Sequence, residues 1–184
     1  QRLDFVKNTF HDVSVTDDFD SVISRNDVDA VILVTPPETH EEMGKQAFSS
    51  GKHVLVEKPL SVSVSAAKNL LSAPQESRKI LQLRHVCAYN PAVTAMKSSL
   101  QSGGLGNFKY ANSSRMNMPP PNTRHSVIWD LAVHDVSIAL TLNDARPTIV
   151  SATGKNYHHT TLIDAATVTI EFDDGTMSWH HVGW

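Results

Sequence analysis

The sequence lacks the features that would place the protein in a membrane, in a disulfide-linked scaffold or on nucleic acid. Its 184 residues include one cysteine, Cys87, so no internal disulfide can form and a reducing compartment is expected. No apolar run approaches the roughly 20 residues that cross a bilayer. Residues 1–20 lack the basic start and apolar core of a signal peptide. The net charge of −3 argues against nucleic acid or an anionic membrane as the main partner, and we expect a cytoplasmic protein.

Motifs for metal binding and for serine hydrolysis are also missing. The ten histidines form no His-x-x-x-His pair, and no Cys-x-x-Cys pair exists, so no metal site is predicted. In a strand, adjacent side chains point to opposite faces. We therefore interpret His158-His159 and His180-His181 as strand or loop surface. No Gly-x-Ser-x-Gly elbow occurs. We interpret Cys87 as a small buried apolar residue.

Short apolar runs alternate with helical patterns in the first half of the chain. Strands are predicted at 13–15, 30–34, 54–56 and 79–86, and helices at 17–25, 39–50 and 64–73. The run 54–56 is bounded by Gly51 and Pro59, which indicates a strand buried on both faces of a sheet. Asp17 is a candidate N-cap for the first of these helices. This alternation predicts a parallel sheet built from βαβ units.

The pattern changes after Asn90-Pro91. Helices are predicted at 92–101 and 128–142, and strands at 108–118, 148–157, 165–172 and 177–184. Asp173-Asp174-Gly175 predicts a hairpin turn between the last two strands. The glycine cluster 103–106 follows a helix, which favours a helix end and a turn over a phosphate loop. The sequence therefore predicts a second domain of α+β type, with domains at 1–88 and 89–184.

Candidate chemistry lies at one strand end and on one helix. Glu57 and Lys58 come directly after the run 54–56, and ligands of open α/β sheets bind just outside the carboxyl ends of the strands. Asp130 and His134 lie four residues apart on a predicted helix, so they share one face. A carboxylate beside an imidazole can orient the ring as a base near neutral pH. Such pairs also occur on solvated helix surfaces.

Four motifs in order resemble the glucose-fructose oxidoreductase / inositol dehydrogenase (Gfo/Idh/MocA) family. They are DAVILVTPPETH at 29–40, GKHVLVEKP at 51–59, His85 with Asn90-Pro91, and WDLAVHD at 129–135. The resemblance runs through essentially the whole chain. It implies an α/β protein in which a partial Rossmann-like parallel sheet is followed by a partial α+β domain with a mostly antiparallel sheet.

The resemblance implies an NAD(P)-dependent dehydrogenase that oxidises a hydroxyl of a sugar, cyclitol or sugar nucleotide. Lys58 matches the family lysine that contacts the nicotinamide ribose and the substrate hydroxyl. His134 matches the base that takes the hydroxyl proton, and Asp130 matches the residue that positions substrate and base. Alcohol oxidation needs a base, a cation near the hydroxyl and a cofactor that accepts hydride, so these residue types suit the reaction.

Further residues match the family's cofactor site or fall near the inferred crevice. The cofactor, NAD or NADP, is expected to contact Thr35, Pro36, His40, Glu57 and Lys58. The candidate substrate contacts are Tyr89, Asn90 and Arg124. The resemblance also implies a homo-oligomer, because family members usually assemble through the sheet of the second domain.

The sequence departs from the family pattern at its ends. The Gly-x-Gly-x-x-Gly turn, which binds pyrophosphate at a helix N-terminus, does not occur in these 184 residues. The first residues match a point after that turn, and Trp184 matches a point before the family's larger sheet ends, so we expect an internal segment. Two alternatives to a dehydrogenase stay open. One is a non-catalytic dinucleotide-binding sensor of the same fold, and the other is a fragment without independent activity.

Overall fold

The computed structural model of the chain describes residues 2–118, 125–158 and 161–184. The chain divides into two compact units, Gln1–Arg84 and His85–Trp184. The boundary predicted at residue 88 falls within the short 3-10 helix Val86–Tyr89, just after this division. Across the described residues, no helix has both the length and the apolar character needed to cross a membrane.

The first unit alternates helices with the strands of a parallel sheet. Its elements are α1 (Arg2–Thr9), α2 (Phe19–Ile23), β1 (Ala30–Leu33), α3 (His40–Ser49), β2 (His53–Glu57), α4 (Val64–Ser77) and β3 (Leu81–Arg84). A 3-10 turn, Pro37–Thr39, leads into α3. The described strands follow the order β1-β2-β3 and are parallel throughout, so the predicted sheet of βαβ units is confirmed.

One face of this sheet is buried and the other is open. Val54 and Val56 are at most 2% exposed and pack in one core with Leu70 of α4. On the opposite face, Ile32 is 66% exposed and Leu55 is half-buried. The prediction that the run 54–56 is buried on both faces is therefore wrong. An apolar run shows that a strand is covered, but it does not show how many of its faces the neighbouring helices cover.

Two local predictions near the start of the chain are corrected. Residues 13–15 form no strand, and Val13 is exposed, so the alternation of its neighbours did not mark a buried face. The N-cap of α2 is Asp18 rather than Asp17. The Asp18 carboxylate accepts a hydrogen bond of 3.1 Å from the Ser21 backbone N–H, which is the contact that makes a residue a cap.

The second unit is a mostly antiparallel sheet with helices, as predicted. Its elements are α5 (Pro91–Gln101), β4 (Tyr110–Met116), a π-helical segment (Ile128–Ala132), α6 (Val133–Leu142), β5 (Pro147–Lys155), β6 (Ala165–Phe172) and β7 (Met177–Gly183). The sheet order is β4-β7-β6-β5, and only the β4–β7 pair among these described strands is parallel. The hairpin turn predicted at 173–175 is confirmed. Gly175 there has a positive φ of 81°, which favours glycine.

The helix predicted at 128–142 consists of a π-helical part followed by an α-helical part. Its first part, Ile128–Ala132, is π-helical, and α6 continues from it. Leu131 and Ala132 anchor the segment in a core with Val168 and Ile170 of β6. Single π-helical turns inside helices occur frequently at functional sites. The segment carries Asp130, and α6 carries His134 at its second position.

Candidate active site

An acidic and a basic residue, Glu57 and Lys58, lie next to each other where β2 ends. Glu57 is the last residue of β2, and it forms an ion pair with Arg84, its neighbour in the β2–β3 register. The hydrogen bond from Arg84 holds the pKa of the Glu57 carboxyl below its usual value. The backbone N–H of Lys58 also donates to this carboxylate, at 3.3 Å. Glu57 is therefore ionised at neutral pH. The sequence analysis missed Arg84, although the alignment of parallel strand ends could have indicated it.

His40 connects the two loops that follow β1 and β2. The side chain is fully buried. Its Nε2 lies 2.9 Å from the carbonyl oxygen of Thr35, and its Nδ1 lies 3.1 Å from the carbonyl oxygen of Pro59. The peptide bond between Lys58 and Pro59 is cis. The ring therefore fixes the segment next to Lys58 against the segment that contains Thr35.

These loops have suitable chemistry for part of a dinucleotide. At the carboxyl ends of β1 and β2 they offer a hydroxyl group on Thr35, a carboxylate on Glu57 and a cation on Lys58. Carboxylate and hydroxyl groups at such a sheet edge can bind ribose hydroxyls. These groups suit the part of the cofactor whose ribose hydroxyls need polar contacts. The loops do not include a glycine-rich turn for pyrophosphate, which the 184-residue sequence does not contain.

In the second unit, His134 is held by a cysteine. The Sγ atom of Cys87 lies 3.5 Å from Nδ1 of His134, and both side chains are half-buried. Cys87 lies on the 3-10 helix Val86–Tyr89, which packs against α6. The interpretation of Cys87 as a simple buried apolar residue is therefore wrong. A single cysteine far away in sequence gives no signal for such a contact.

A buried ion pair stands directly beside His134. Nε of Arg115 donates to Oδ2 of Asp135 at 2.6 Å, and Nη2 of Arg115 donates to Oδ1 at 3.2 Å. The Asp135 side chain is 5% exposed and that of Arg115 is 33% exposed. The hydrogen bond to Asp135, together with a smaller contribution from Cys87, raises the pKa of the Arg115 guanidinium. The ion pair therefore lies one residue along α6 from His134.

His180 contributes a buried imidazole to this unit. Its Nδ1 lies 2.8 Å from the Ser113 hydroxyl, and its Nε2 lies 3.1 Å from the Ser178 hydroxyl. Burial lowers the pKa of His180, against the opposing attraction of Asp135. The interpretation of this histidine pair as surface is wrong for His180. It agrees with the exposure of His181, while His159 lies outside the described residues.

The remaining predicted site residues have mixed surroundings. Asp130 is half-buried in the π-helical segment, and Tyr89 is 64% exposed. Asn90 caps α5, where its Oδ1 accepts a hydrogen bond of 2.9 Å from the Ala92 N–H, so it has a structural role of its own. Arg124 lies outside the described residues. Within the described ranges, no cluster of histidine, cysteine and acidic side chains is suited to a metal ion.

Comparisons with known proteins identify the class to which this fold and these residues belong. The model of an oxidoreductase family with an NAD-binding Rossmann fold (GFO_IDH_MocA) matches residues 1–85. The model of the GFO/IDH/MocA C-terminal domain matches residues 93–184. The fold is that of an NAD-binding oxidoreductase. The chain belongs to the Gfo/Idh/MocA family, as its motifs predicted.

Relatives of known activity cover most of the chain. A UDP-N-acetylglucosamine 3-dehydrogenase of Acidithiobacillus ferrooxidans is 32% identical over 153 residues, which are 83% of this chain and 47% of that protein. The scyllo-inositol 2-dehydrogenase (NAD(+)) of Bacillus subtilis is 33% identical over 158 residues, 80% of this chain and 46% of that protein. The chain thus spans about half the length of these relatives.

A solved structure shows the same fold over nearly the whole chain. The probable dehydrogenase from Thermotoga maritima superposes with a TM-score of 0.89 at 21% sequence identity. The superposition covers 98% of this chain and 58% of that protein. At this level of identity the likeness concerns the fold alone.

Proposed function

We propose that the chain carries the catalytic residues of an NAD(P)-dependent dehydrogenase that oxidises a hydroxyl of a sugar, cyclitol or sugar nucleotide. The observation that carries the proposal is the setting of His134. Its ring is half-buried at the start of α6, with Nδ1 occupied by Cys87 and a buried ion pair next to it. An imidazole in a partly buried, polar setting can serve as a general base near neutral pH.

We assign one role in hydroxyl oxidation to each of three residues. His134 takes the hydroxyl proton, and Asp130 orients the substrate and the imidazole. By the family resemblance, Lys58 supplies the cation that stabilises the negative charge that develops as the proton leaves. The cofactor, when bound, accepts the hydride. Family membership supports this assignment, because the motifs that contain Lys58 and His134 are those by which the chain resembles the family.

The cofactor's nicotinamide side is assigned to the loops after β1 and β2. Thr35 and Pro36 follow β1, while Glu57 ends β2 and Lys58 follows it. His40 contacts the backbone of both loops, so it keeps their positions fixed relative to each other. The pairing of Glu57 with Arg84 keeps its carboxylate charged, and a carboxylate is a suitable acceptor for ribose hydroxyls.

The substrate class follows from the relatives rather than from a pocket. One relative is named for UDP-N-acetylglucosamine and another for scyllo-inositol, and both substrates are rings that carry several hydroxyl groups. We therefore assign a hydroxylated ring as the substrate. Tyr89, Asn90 and Arg124 are the proposed substrate contacts, and the two that the structure describes, Tyr89 and Asn90, are both exposed.

The first test is binding. The 184-residue chain is titrated with NADH and with NADPH, and nicotinamide fluorescence is followed. Micromolar binding supports the proposal, and the preferred dinucleotide identifies the cofactor. A folded chain that binds neither dinucleotide would refute a cofactor site in these residues and favour the alternative of a segment without independent activity.

The second test is turnover with UDP-N-acetylglucosamine and scyllo-inositol. His134→Ala should lower kcat by a factor of about 10² to 10⁴, the usual contribution of a general base, and Lys58→Ala should do the same through loss of the cation. His181→Ala and Lys45→Ala are matched controls on exposed positions and should retain activity. Near-normal turnover in either test variant would remove the mechanism. Tight dinucleotide binding without turnover on any hydroxylated ring would favour the sensor.

A further inference from the structure

We propose that His40 donates a hydrogen bond from each of its two ring nitrogens, and that it is therefore a buried imidazolium cation that joins the loops after β1 and β2. The contacts that define this cation lie within the first unit alone. The inference deepens the proposed function, on which it rests only for its meaning in cofactor binding. His40 is thereby a positioning residue for the loops that carry Thr35 and Lys58.

Both hydrogen-bond partners of the His40 ring can only accept. Nε2 lies 2.9 Å from the carbonyl oxygen of Thr35, and Nδ1 lies 3.1 Å from the carbonyl oxygen of Pro59. A peptide carbonyl has lone pairs and no proton to donate. A neutral imidazole carries one N–H, so it would turn the lone pair of its other nitrogen toward one of these oxygens. Only the doubly protonated ring makes a hydrogen bond of each contact.

Burial leaves the ring no other partners. The His40 side chain is 0% exposed, so bulk water does not replace either carbonyl. His40 is the first residue of α3, and its two acceptors lie in the loops after β1 and β2, so three elements fix the ring against these oxygens. A neutral ring would therefore place a lone pair against a lone pair inside the protein, which buried polar groups avoid.

Other effects on the charge of the ring act in both directions. Burial disfavours a cation, and so does the position of His40 at the amino end of α3, where the helix dipole is positive. Lys58, which precedes Pro59, adds a like charge. Glu41 and Glu42 in the first turn of α3 act in the opposite direction. Hydrogen bonds from a charged donor are roughly twice as strong as neutral ones, and the cation makes two where the neutral ring makes one. These two hydrogen bonds decide the balance.

The charge of His40 can be measured on the chain without any cofactor or substrate. Ring ¹⁵N signals are recorded about one pH unit above 6.5, where an unperturbed histidine is mostly neutral, and those of His40 are assigned through bonds from its own backbone. A neutral ring gives two widely separated nitrogen signals, whereas an imidazolium gives two that lie close together. We expect the close pair for His40. His53 is the internal control, because its Nδ1 accepts the Ile80 backbone N–H at 3.1 Å and carries no proton there. Widely separated signals for His40 under these conditions would refute the proposal.

Two substitutions then test whether each loop needs its own donor. The amide nitrogen of His40→Asn takes the place of Nδ1, so it can reach Pro59 but not Thr35, and that of His40→Gln takes the place of Nε2, with the opposite reach. Amide hydrogen exchange should therefore rise in residues 35–39 for His40→Asn and in residues 57–61 for His40→Gln. Circular dichroism checks that each variant is folded. Wild-type exchange in both loops of either folded variant would overturn the two-donor arrangement. The wild-type nitrogen signals decide the proposal where a variant does not fold.

Dinucleotide binding separates this inference from the proposed function. Release of either loop should weaken NADH binding about three- to tenfold, which is what one net hydrogen bond contributes. Lys45→Ala, on the exposed side of α3, should bind NADH like the wild type. Unchanged affinity in a variant with a released loop would overturn the positioning role. If the wild-type chain binds neither NADH nor NADPH while His40 gives the imidazolium signals, the proposed function fails and the charge of His40 is supported.

Discussion

The ion pair between Arg115 and Asp135 offers the sharpest test of how the second unit is stabilised. Arg115→Met keeps most of the side-chain length and removes the positive charge, which leaves the Asp135 carboxylate buried at 5% exposure without its guanidinium. Removing one partner of a buried pair costs about 3–5 kcal/mol. Arg115 is one third exposed, so water can reach the altered site. We therefore expect the low end, about 3 kcal/mol of unfolding free energy.

The assay can be confined to this unit. The sequence contains three tryptophans, Trp129, Trp179 and Trp184, and all of them lie in the unit His85–Trp184. Tryptophan fluorescence during urea unfolding therefore reports the second unit. With a slope of about 1.5 kcal/mol per molar urea, a loss of about 3 kcal/mol lowers the midpoint by about 2 M.

Two comparisons test whether the burial of the Asp135 carboxylate causes the loss of unfolding free energy in Arg115→Met. Arg25→Met removes an equally bidentate pair with Asp27 that lies on the surface, and we expect no measurable loss from it. The first unit, which carries that pair, is followed by circular dichroism. The double variant Arg115→Met/Asp135→Asn should be more stable than Arg115→Met alone, because it leaves no buried charge. The reasoning fails if Arg115→Met costs less than about 1 kcal/mol or if the double variant is the less stable of the two.

Two further predictions concern the buried histidines. His40→Ala should raise amide hydrogen exchange in residues 35–39 and 57–61, because both loops lose the side chain that contacts them. The control Lys45→Ala, on the exposed side of α3, should leave this exchange unchanged. Equal exchange in the two variants would contradict the bridging role of His40. Burial holds the pKa of His180 below its ordinary 6.5, so its neutral form stabilises the unit fully above pH 6.5, and this stability is lost as the pH falls below that value toward the folded pKa. The urea midpoint of His180→Gln should therefore depend less on pH in that range, whereas the exposed His181→Gln should keep the wild-type slope; identical slopes would refute the argument.

Much of the fold was predictable because hydrophobic periodicity is a local property of the sequence. Strand β6 was predicted at 165–172 and has those bounds in the structure, since every second residue there faces the core. The run 54–56 was likewise recognised as a strand. The exposure of one face of this strand was not predicted. Whether a face is covered depends on the elements that pack against the sheet, and the strand has the same apolar composition with one face covered or with two. The false strand at 13–15 has the same origin, since alternation alone does not supply a neighbouring strand.

The contacts that organise the candidate site were not predictable by spacing. Cys87 and His134 are 47 residues apart, and Arg115 and Asp135 are 20 residues apart, so no helical or strand period joins them. Glu57 and Arg84 differ, because they end neighbouring parallel strands and the register alone brings them opposite each other. Sequence reasoning can reach a pair of this last kind once the order of the strands is correct.

In the second unit, a stabilising ion pair lies next to the candidate catalytic base, because Asp135 follows His134 directly in α6. Successive residues of a helix point about 100° apart, so His134 faces the sulfur of Cys87 while Asp135 faces the guanidinium of Arg115. Loss of Cys87 should therefore remove a contact of the imidazole with little effect on unfolding. Loss of Arg115 should lower the unfolding free energy, because its guanidinium pairs with the buried Asp135 carboxylate. An Arg115→Met variant with wild-type stability would contradict this account of the ion pair.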